Sequence, residues 1–305
     1  MAPLSAFLRR QADLDEHDKF LVRHVVVDFN AAHSLRISAQ ALFQASRAAE
    51  QMHGANQFRV TAGYAALVRF LALELERHHG IVLTNSRARQ VVWKPGSVEV
   101  WADRAKRRES FRADAALVTV PLGILKTGEI TFHPSLPGKI EVAREIEFGN
   151  VVKVVFQFQE TFWEDHGFIH APETAFPTWW PDPRGPLITG WAGGPHADAL
   201  LRYSQAQLEE IGLEILGKLF SQPKDSLRRF LVRSYYLNWA ADPHIRGAYS
   251  YIPVNGLSLP QVLAESVGGT LFFAGEATVA DAQTGTVFGA LESGLRAAGE
   301  ILEST

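Results

Sequence analysis

A lone lysine inside an apolar run is the first residue here that could do chemistry. Lys153 lies within Val151-Val152-Lys153-Val154-Val155-Phe156. Such a lysine either guards the edge of a sheet or points into a cavity. The run by itself favours the edge strand. In a cavity, a desolvated ammonium would lose basicity and could take part in proton handling. Phe272-Phe273-Ala274-Gly275-Glu276 is a second candidate, a strand ending at a glycine and a carboxylate. A glycine there lets another backbone or a ligand come close. Thr284-Gly285-Thr286-Val287-Phe288-Gly289-Ala290 then opens a helix. Its free N–H groups suit an anion or an electron-rich ring, and its small residues equally suit tight packing on a sheet. The run from Trp239 to Tyr251 gathers Trp239, His244, Arg246, Tyr249 and Tyr251. Those aromatic rings are either ordinary core or a wall that holds a cation by its π faces.

Other patterns lead nowhere. Gly212 to Lys218 spells GxxxxGK, but no Ser or Thr follows and the run is an amphipathic helix. His166 and His170 stand four apart beside Glu164 and Asp165, but Gly167 interrupts them. They read as loop histidines, and no metal site is expected. None of the 24 glycines is separated from another by a single residue. The chain therefore has no GxGxxG fingerprint and by itself does not cradle a pyrophosphate in the Rossmann manner.

The elements that must position these residues follow from periodicity. Residues 13–55 read as helical, as does Tyr64 to His79, with Gly80 as C-cap. Ile81-Val82-Leu83 reads as a short strand. Lys94-Pro95-Gly96-Ser97 reads as a hairpin turn between Val91-Val92-Trp93 and Val98-Glu99-Val100-Trp101. Ala115 to Val120, Val151 to Phe158 and Leu271 to Ala274 read as strands. Gln205 to Phe220 and roughly Gly285 to Leu302 read as helices. Strands alternate with helices at the two ends, which predicts an α/β domain interrupted by a second domain.

At 305 residues the chain is long for one domain and has ample length to bury a core. Its net charge of −3 carries no nucleic-acid footprint. Arg104 to Arg108, the densest basic run, reads as a solvated turn. There is no cysteine, which excludes disulfides, thiolate zinc sites and a thioether-linked cofactor. Neither a signal peptide nor a spanning apolar run is evident, so a cytoplasmic protein without membrane contact is expected.

In their chain order these stretches resemble the flavin-containing amine oxidase family, which includes monoamine oxidases, polyamine oxidases and lysine-specific histone demethylases. Val118 to Lys126 is similar to that family's crossover from a strand into the substrate domain. Phe148-Gly149-Asn150, Lys153 and Phe162-Trp163 are similar to the segment bearing its active-site lysine. Trp239 to Tyr251, Phe272 to Glu276 and Gly285 to Gly299 resemble its flavin-proximal motifs. Arg59 to Tyr64 and Asn85 to Val91 resemble the middle of its FAD domain. The likeness spans roughly residues 56–303.

The resemblance implies an α/β fold with α+β parts: an incomplete Rossmann-like FAD-binding domain interleaved with a substrate domain of mixed sheet and helices. Residues 1–55 would be the helical part of the substrate domain, 56–120 the middle of the FAD domain, 121–255 the substrate domain and 256–305 the C-terminal FAD segment. By the same likeness, Lys153 would hold a water against the flavin N5, and Trp239 would pack beside the isoalloxazine ring. Tyr249, with His244 near it, would contact the substrate amine. Ala88 would meet the adenosine, and Gly275, Glu276, Gly285, Thr286 and Val287 would line the pyrophosphate, ribityl and flavin region. The implied reaction is oxidation of an amine to an imine, with noncovalent FAD accepting hydride and oxygen reoxidising it. Three departures stand out. The family's N-terminal βαβ unit is missing, Gly285 stands where many relatives carry an aromatic or another small residue, and His244 replaces an aromatic found in some. The expectation is the larger part of a split or truncated amine oxidase, with a second chain supplying the glycine-rich unit. The alternative is a non-catalytic amine-binding or interaction protein that retains the substrate domain without FAD.

Overall fold

The computed structural model describes residues 1–51, 54, 60–164, 167–280 and 283–304. Helices α1 (Leu4–Arg9), α2 (Glu16–Phe29) and α3 (Ala39–Gln51) come first. Asp15 starts α2 by accepting a hydrogen bond from Asp18 N at 2.8 Å, an ordinary N-cap. Helix α4 (Tyr64–Arg77) ends where His79 takes a left-handed φ of 62° and Gly80 N donates back to Leu75 O at 2.8 Å. The glycine thus closes the helix, while the histidine carries the positive φ. No residue of α4 is buried.

The predicted strand at Ile81-Val82-Leu83 does not form; these residues lie outside any strand, and Ile81 is 80% exposed. Three apolar residues in a row do not make a strand unless another strand accepts their backbone groups. The next three strands are a meander: β1 (Ser86–Lys94), β2 (Ser97–Arg104) and β3 (Arg107–Ala113). Gly96, at a φ of 72°, makes the first turn, and the basic run makes the second, with Ala105 and Lys106 both at positive φ. Strand β4 (Ala116–Val118), helix α5 (Leu122–Thr127) and strand β5 (Thr131–His133) follow. β5 joins β1 in parallel, giving the order β3-β2-β1-β5.

After α6 (Pro137–Glu145) come β6 (Glu147–Gly149), β7 (Val151–Phe158), β8 (Ile169–His170), β9 (Thr178–Asp182) and β10 (Leu187–Gly193). Helices α7 (Pro195–Leu200), α8 (Gln205–Leu219) and α9 (Lys224–Phe230) lead to β11 (Leu231–Asn238). These strands build a sheet of order β11-β7-β10-β9-β8. Strict alternation along β7 buries Val152, Val154, Phe156 and Phe158 on one face. That face packs on Leu208, Leu213 and Leu216 of α8, and Trp179 fills the space between. A capping box of Ser204 and Gln207 starts α8. Gly212 of the discarded GxxxxGK run lies here, and a Cβ on it would stand 2.6 Å from the Phe156 ring.

The remaining elements are β12 (Tyr249–Tyr251), α10 (Leu259–Ala264), β13 (Leu271–Phe273) and α11 (Val287–Ser304). β12 pairs antiparallel with β6, and β13 pairs parallel with β4. Val91, Val98, Phe132, Leu271 and Phe273 join the β1 sheet to β13 in a second core.

Candidate functional site

Lys153 does not lie on an edge. Its strand β7 is paired on both sides, by β10 and by β11. The edge expectation fails because both partners arrive much later in the chain. Alternation turns Lys153 away from the α8 core, onto the other face of the sheet. In register, Lys153 stands between Leu237 of β11 and Trp191 of β10, and Trp191 stands beside Thr178 of β9. Burial lowers the Lys153 pKa from its ordinary value. Among the described residues no carboxylate pairs with its ammonium.

The end of α2 closes over this row. Asp28 is 3% exposed. Burial pushes its carboxyl up to about 6, against the downward pull of hydrogen bonds from Thr178 and Gly193. Tyr249 on β12 pairs with Gly149, four residues before Lys153. Its hydroxyl donates to Phe29 O at 2.5 Å. Burial, and secondarily the Asp28 charge, raise the Tyr249 pKa, so the ring stays a neutral phenol.

Glu276 ties the C-terminal motifs to Tyr249. Its Oε2 accepts from Ser250 Oγ at 2.6 Å and from Gly285 N at 2.6 Å. Gly285 has a φ of 77°, and a Cβ there would lie 3.1 Å from Ser250 O and 3.2 Å from the Tyr249 ring. A side chain at 285 would be both strained and crowded. Burial raises the Glu276 pKa, and its hydrogen bonds offset part of the rise. The folded state therefore holds this proton more tightly than the unfolded chain, so stability falls as pH rises from the unfolded carboxyl value through the raised one. Glu276→Gln keeps an acceptor oxygen and is expected to remove this component of the slope. Urea unfolding of both proteins across the acid and neutral range checks it; equal slopes would contradict it.

The family model described as flavin containing amine oxidoreductase matches residues 3–302. The chain belongs to that family.

The chain is 32% identical over 263 residues to the lysine-specific histone demethylase 1 homolog 1 of Oryza sativa subsp. japonica. That match covers 82% of the chain and 30% of the relative. It is 30% identical to polyamine oxidase 3 of the same organism, over 78% of the chain and 48% of the relative. The chain thus spans less than half of either relative. A solved putrescine oxidase bound to putrescine has the same fold, with a TM-score of 0.82 at 21% identity, over 99% of this chain and 68% of that one. Cyclohexylamine oxidase from Brevibacterium oxydans IH-35A gives 0.75 at 18% identity, over 99% and 67%.

Within this fold the anticipated residues fall into two groups, Lys153 with the strand that leads to Trp239, and Tyr249 with Glu276 and Gly285. Trp239 follows β11 two residues after Leu237, the partner of Lys153, and is partly exposed. Gly275 and Glu276 line a cleft of about 270 Å³ at the carboxyl ends of β4 and β13, with Thr119, Phe148 and Ala290. Parallel strands present ligand sites at that end. Gly275 has a φ of 132°, and a Cβ on it would meet nothing. Thr286 Oγ1 accepts from Gly289 N at 2.9 Å and so caps α11, and Val287 is 51% exposed. Two residues stand apart. Ala88 is in β1, beside an irregularity in its pairing with β2, and His244 is on an exposed turn. His166 and Arg59 lie outside the described residues. Among those described, no cluster of three or more side chains is arranged to hold a metal, and no helix is long and apolar enough to cross a membrane. Sequence reasoning missed Asp28 and Trp191. The available signal was a single acid in Val25-Val26-Val27-Asp28-Phe29, and an indole among glycines 190, 193 and 194.

Proposed function

We propose that this chain is the substrate-handling part of a flavin-dependent amine oxidase that converts an amine C–N bond to an imine. The observation that carries the reading is Lys153: withdrawn from water, without a carboxylate partner among the described residues, and set in one row with Trp191. A lysine costs stability in such a place, which fits a catalytic use.

The residues present fit one half of FAD. The cleft beside Gly275 is lined mainly by apolar residues, among them Val118, Leu122 and Phe273, and reaches Ala290 of α11. At about 270 Å³ it is smaller than the ~300–1,000 Å³ common for drug-sized ligands, so it suits a ring and not a whole dinucleotide. Gly275, Glu276, Thr286, Val287 and Trp239 would hold the flavin half, and Ala88 the adenosine through its backbone. With no cysteine for a thioether, FAD would be noncovalent. Bound flavin supplies the acceptor for the two electrons and passes them to oxygen. Lys153 would hold a water and move a proton at Nζ. Tyr249 would wall the amine so that its α-carbon faces the acceptor, and the α2 cover would exclude bulk water. His244 would contact the substrate only from its rim.

The pyrophosphate would need a glycine-rich βαβ unit from elsewhere, on a second chain or a further segment. Support for this comes from a bare surface. Among the described residues β4 and β13 form a two-stranded parallel sheet, and such sheets are normally covered on both faces. Leu117, Val287, Phe288, Leu291 and Leu295 are exposed, as are Val68, Phe70 and Leu71 of α4. Lack of cysteine also suits a reducing cytoplasm, where we place the protein.

The test is to prepare the chain alone and with a glycine-rich βαβ unit, add FAD, and record flavin absorbance and amine-dependent peroxide release. Flavin uptake and peroxide from the completed form are expected. No flavin uptake in either sample overturns the reading, and amine binding without flavin would favour the non-catalytic alternative.

A further inference from the structure

A set of buried polar contacts centred on Asp28 lies where α2 meets the Lys153 sheet. Asp28 Oδ2 accepts from Thr178 Oγ1 at 2.7 Å, and Oδ1 accepts from Gly193 N at 2.7 Å. The Asp28 carbonyl accepts from Trp191 Nε1 at 3.2 Å. The next carbonyl, Phe29, takes the Tyr249 hydroxyl. Two consecutive residues of α2 therefore hold both the indole in register with Lys153 and the phenol proposed to wall the substrate. The seat is made of backbone. A Cβ on Gly193 would stand 2.1 Å from Asp28 O, and one on Gly194 would stand 2.6 Å from Ala32 O.

We propose that Asp28 is a positioning residue for amine oxidation: its carboxylate anchors the end of α2 to β9 and β10 and thereby fixes Trp191 and Tyr249 about Lys153. The inference rests on the function proposed above. The chemistry calls for a carboxylate. Two donors converge on Asp28 from two strands, and an ionised carboxylate offers each its own acceptor oxygen. An apolar side chain would leave a buried N–H and O–H unpaired. Asparagine would turn an NH₂ donor toward one of them. A buried charge is a poor way to gain stability and a good way to specify geometry.

The test compares wild type, Asp28→Asn and the milder Thr178→Val, with tryptophan labelled by ¹⁵N and Trp191→Phe used to assign the indole resonance. In both variants the Trp191 indole N–H is expected to shift. In Asp28→Asn it should also exchange with solvent about tenfold faster, as expected for a weakened buried hydrogen bond. In the flavin-loaded assembly, kcat should fall about tenfold with a smaller change in KM, the pattern of lost transition-state geometry. If Asp28→Asn does not fold, Thr178→Val decides alone, with the same signs and smaller sizes. An unmoved indole resonance overturns the anchoring and leaves the oxidase reading standing. A shifted resonance with unchanged kcat makes Asp28 merely structural and also overturns the proposal. A shifted resonance in a flavin-loaded protein that no amine reduces keeps the anchoring and sinks the oxidase reading instead.

Discussion

Lys153→Met is expected to slow amine-dependent flavin reduction about a hundredfold, the lower range for loss of a positioned proton-transfer group, while the fold remains intact. Methionine matches the unbranched lysine stem, so the row with Leu237 and Trp191 keeps its packing. Only the ammonium is removed. Burial already lowers the pKa of that group, and the unfolded chain therefore binds its proton more tightly than the folded one. Stability contributed at this position rises with pH between the lowered value and the unfolded one. Methionine abolishes this dependence and is expected to leave the protein as stable or more stable at neutral pH. Anaerobic stopped-flow reduction of the flavin-loaded assembly, with urea unfolding beside it, separates the two effects. An unchanged reduction rate with raised stability would make Lys153 a tolerated buried charge and would remove the main support for catalysis here.

What the sequence made legible was local. The alternation in Val151 to Phe158 gave that strand its correct bounds, since period two is visible without knowing any neighbour. Both turns of the meander were marked by turn chemistry, Pro95-Gly96 in one and a polar basic run in the other. What failed was long-range. Whether Lys153 lies at an edge depends on β10 and β11, and β11 begins 78 residues later at Leu231. Ile81 to Leu83 has the hydrophobicity of a strand, but no strand among the described residues accepts its hydrogen bonds. Asp28 stayed hidden for a related reason. Its partners, Thr178 and Gly193, lie 150 and 165 residues away. The order of motifs was enough for the family, because several short motifs in sequence constrain one another more strongly than any of them predicts its own surroundings.

A methyl group at position 149 tests whether the α2 seat is as close as the backbone indicates. Gly149→Ala is expected to lower stability by about 3 kcal/mol, the upper part of the usual range for forcing volume into a packed site. The new Cβ would stand 2.1 Å from Ala31 O and 2.7 Å from the Ala31 Cβ. Relief by a rotamer change is not available, because Ala31 has no longer side chain to swing and is fully buried. Ala31 also holds a positive φ of 49°, an uncommon state for a non-glycine residue that leaves little room for adjustment. The strand cannot yield easily either, since Gly149 pairs with Tyr249 and its carbonyl accepts from Ala248 N at 2.7 Å. The end of α2 must therefore lift, which would loosen the Tyr249–Phe29 and Trp191–Asp28 bonds together. Gly294→Ala on α11 is the control. A Cβ there meets nothing, and relief of glycine's unfolded-state entropy is expected to raise stability by about 0.5–1 kcal/mol. Urea unfolding midpoints of the two variants should move in opposite directions. If Gly149→Ala is as stable as wild type, α2 does not rest on the strand that leads into Lys153, and the contacts argued to order the site around that lysine lose their common support.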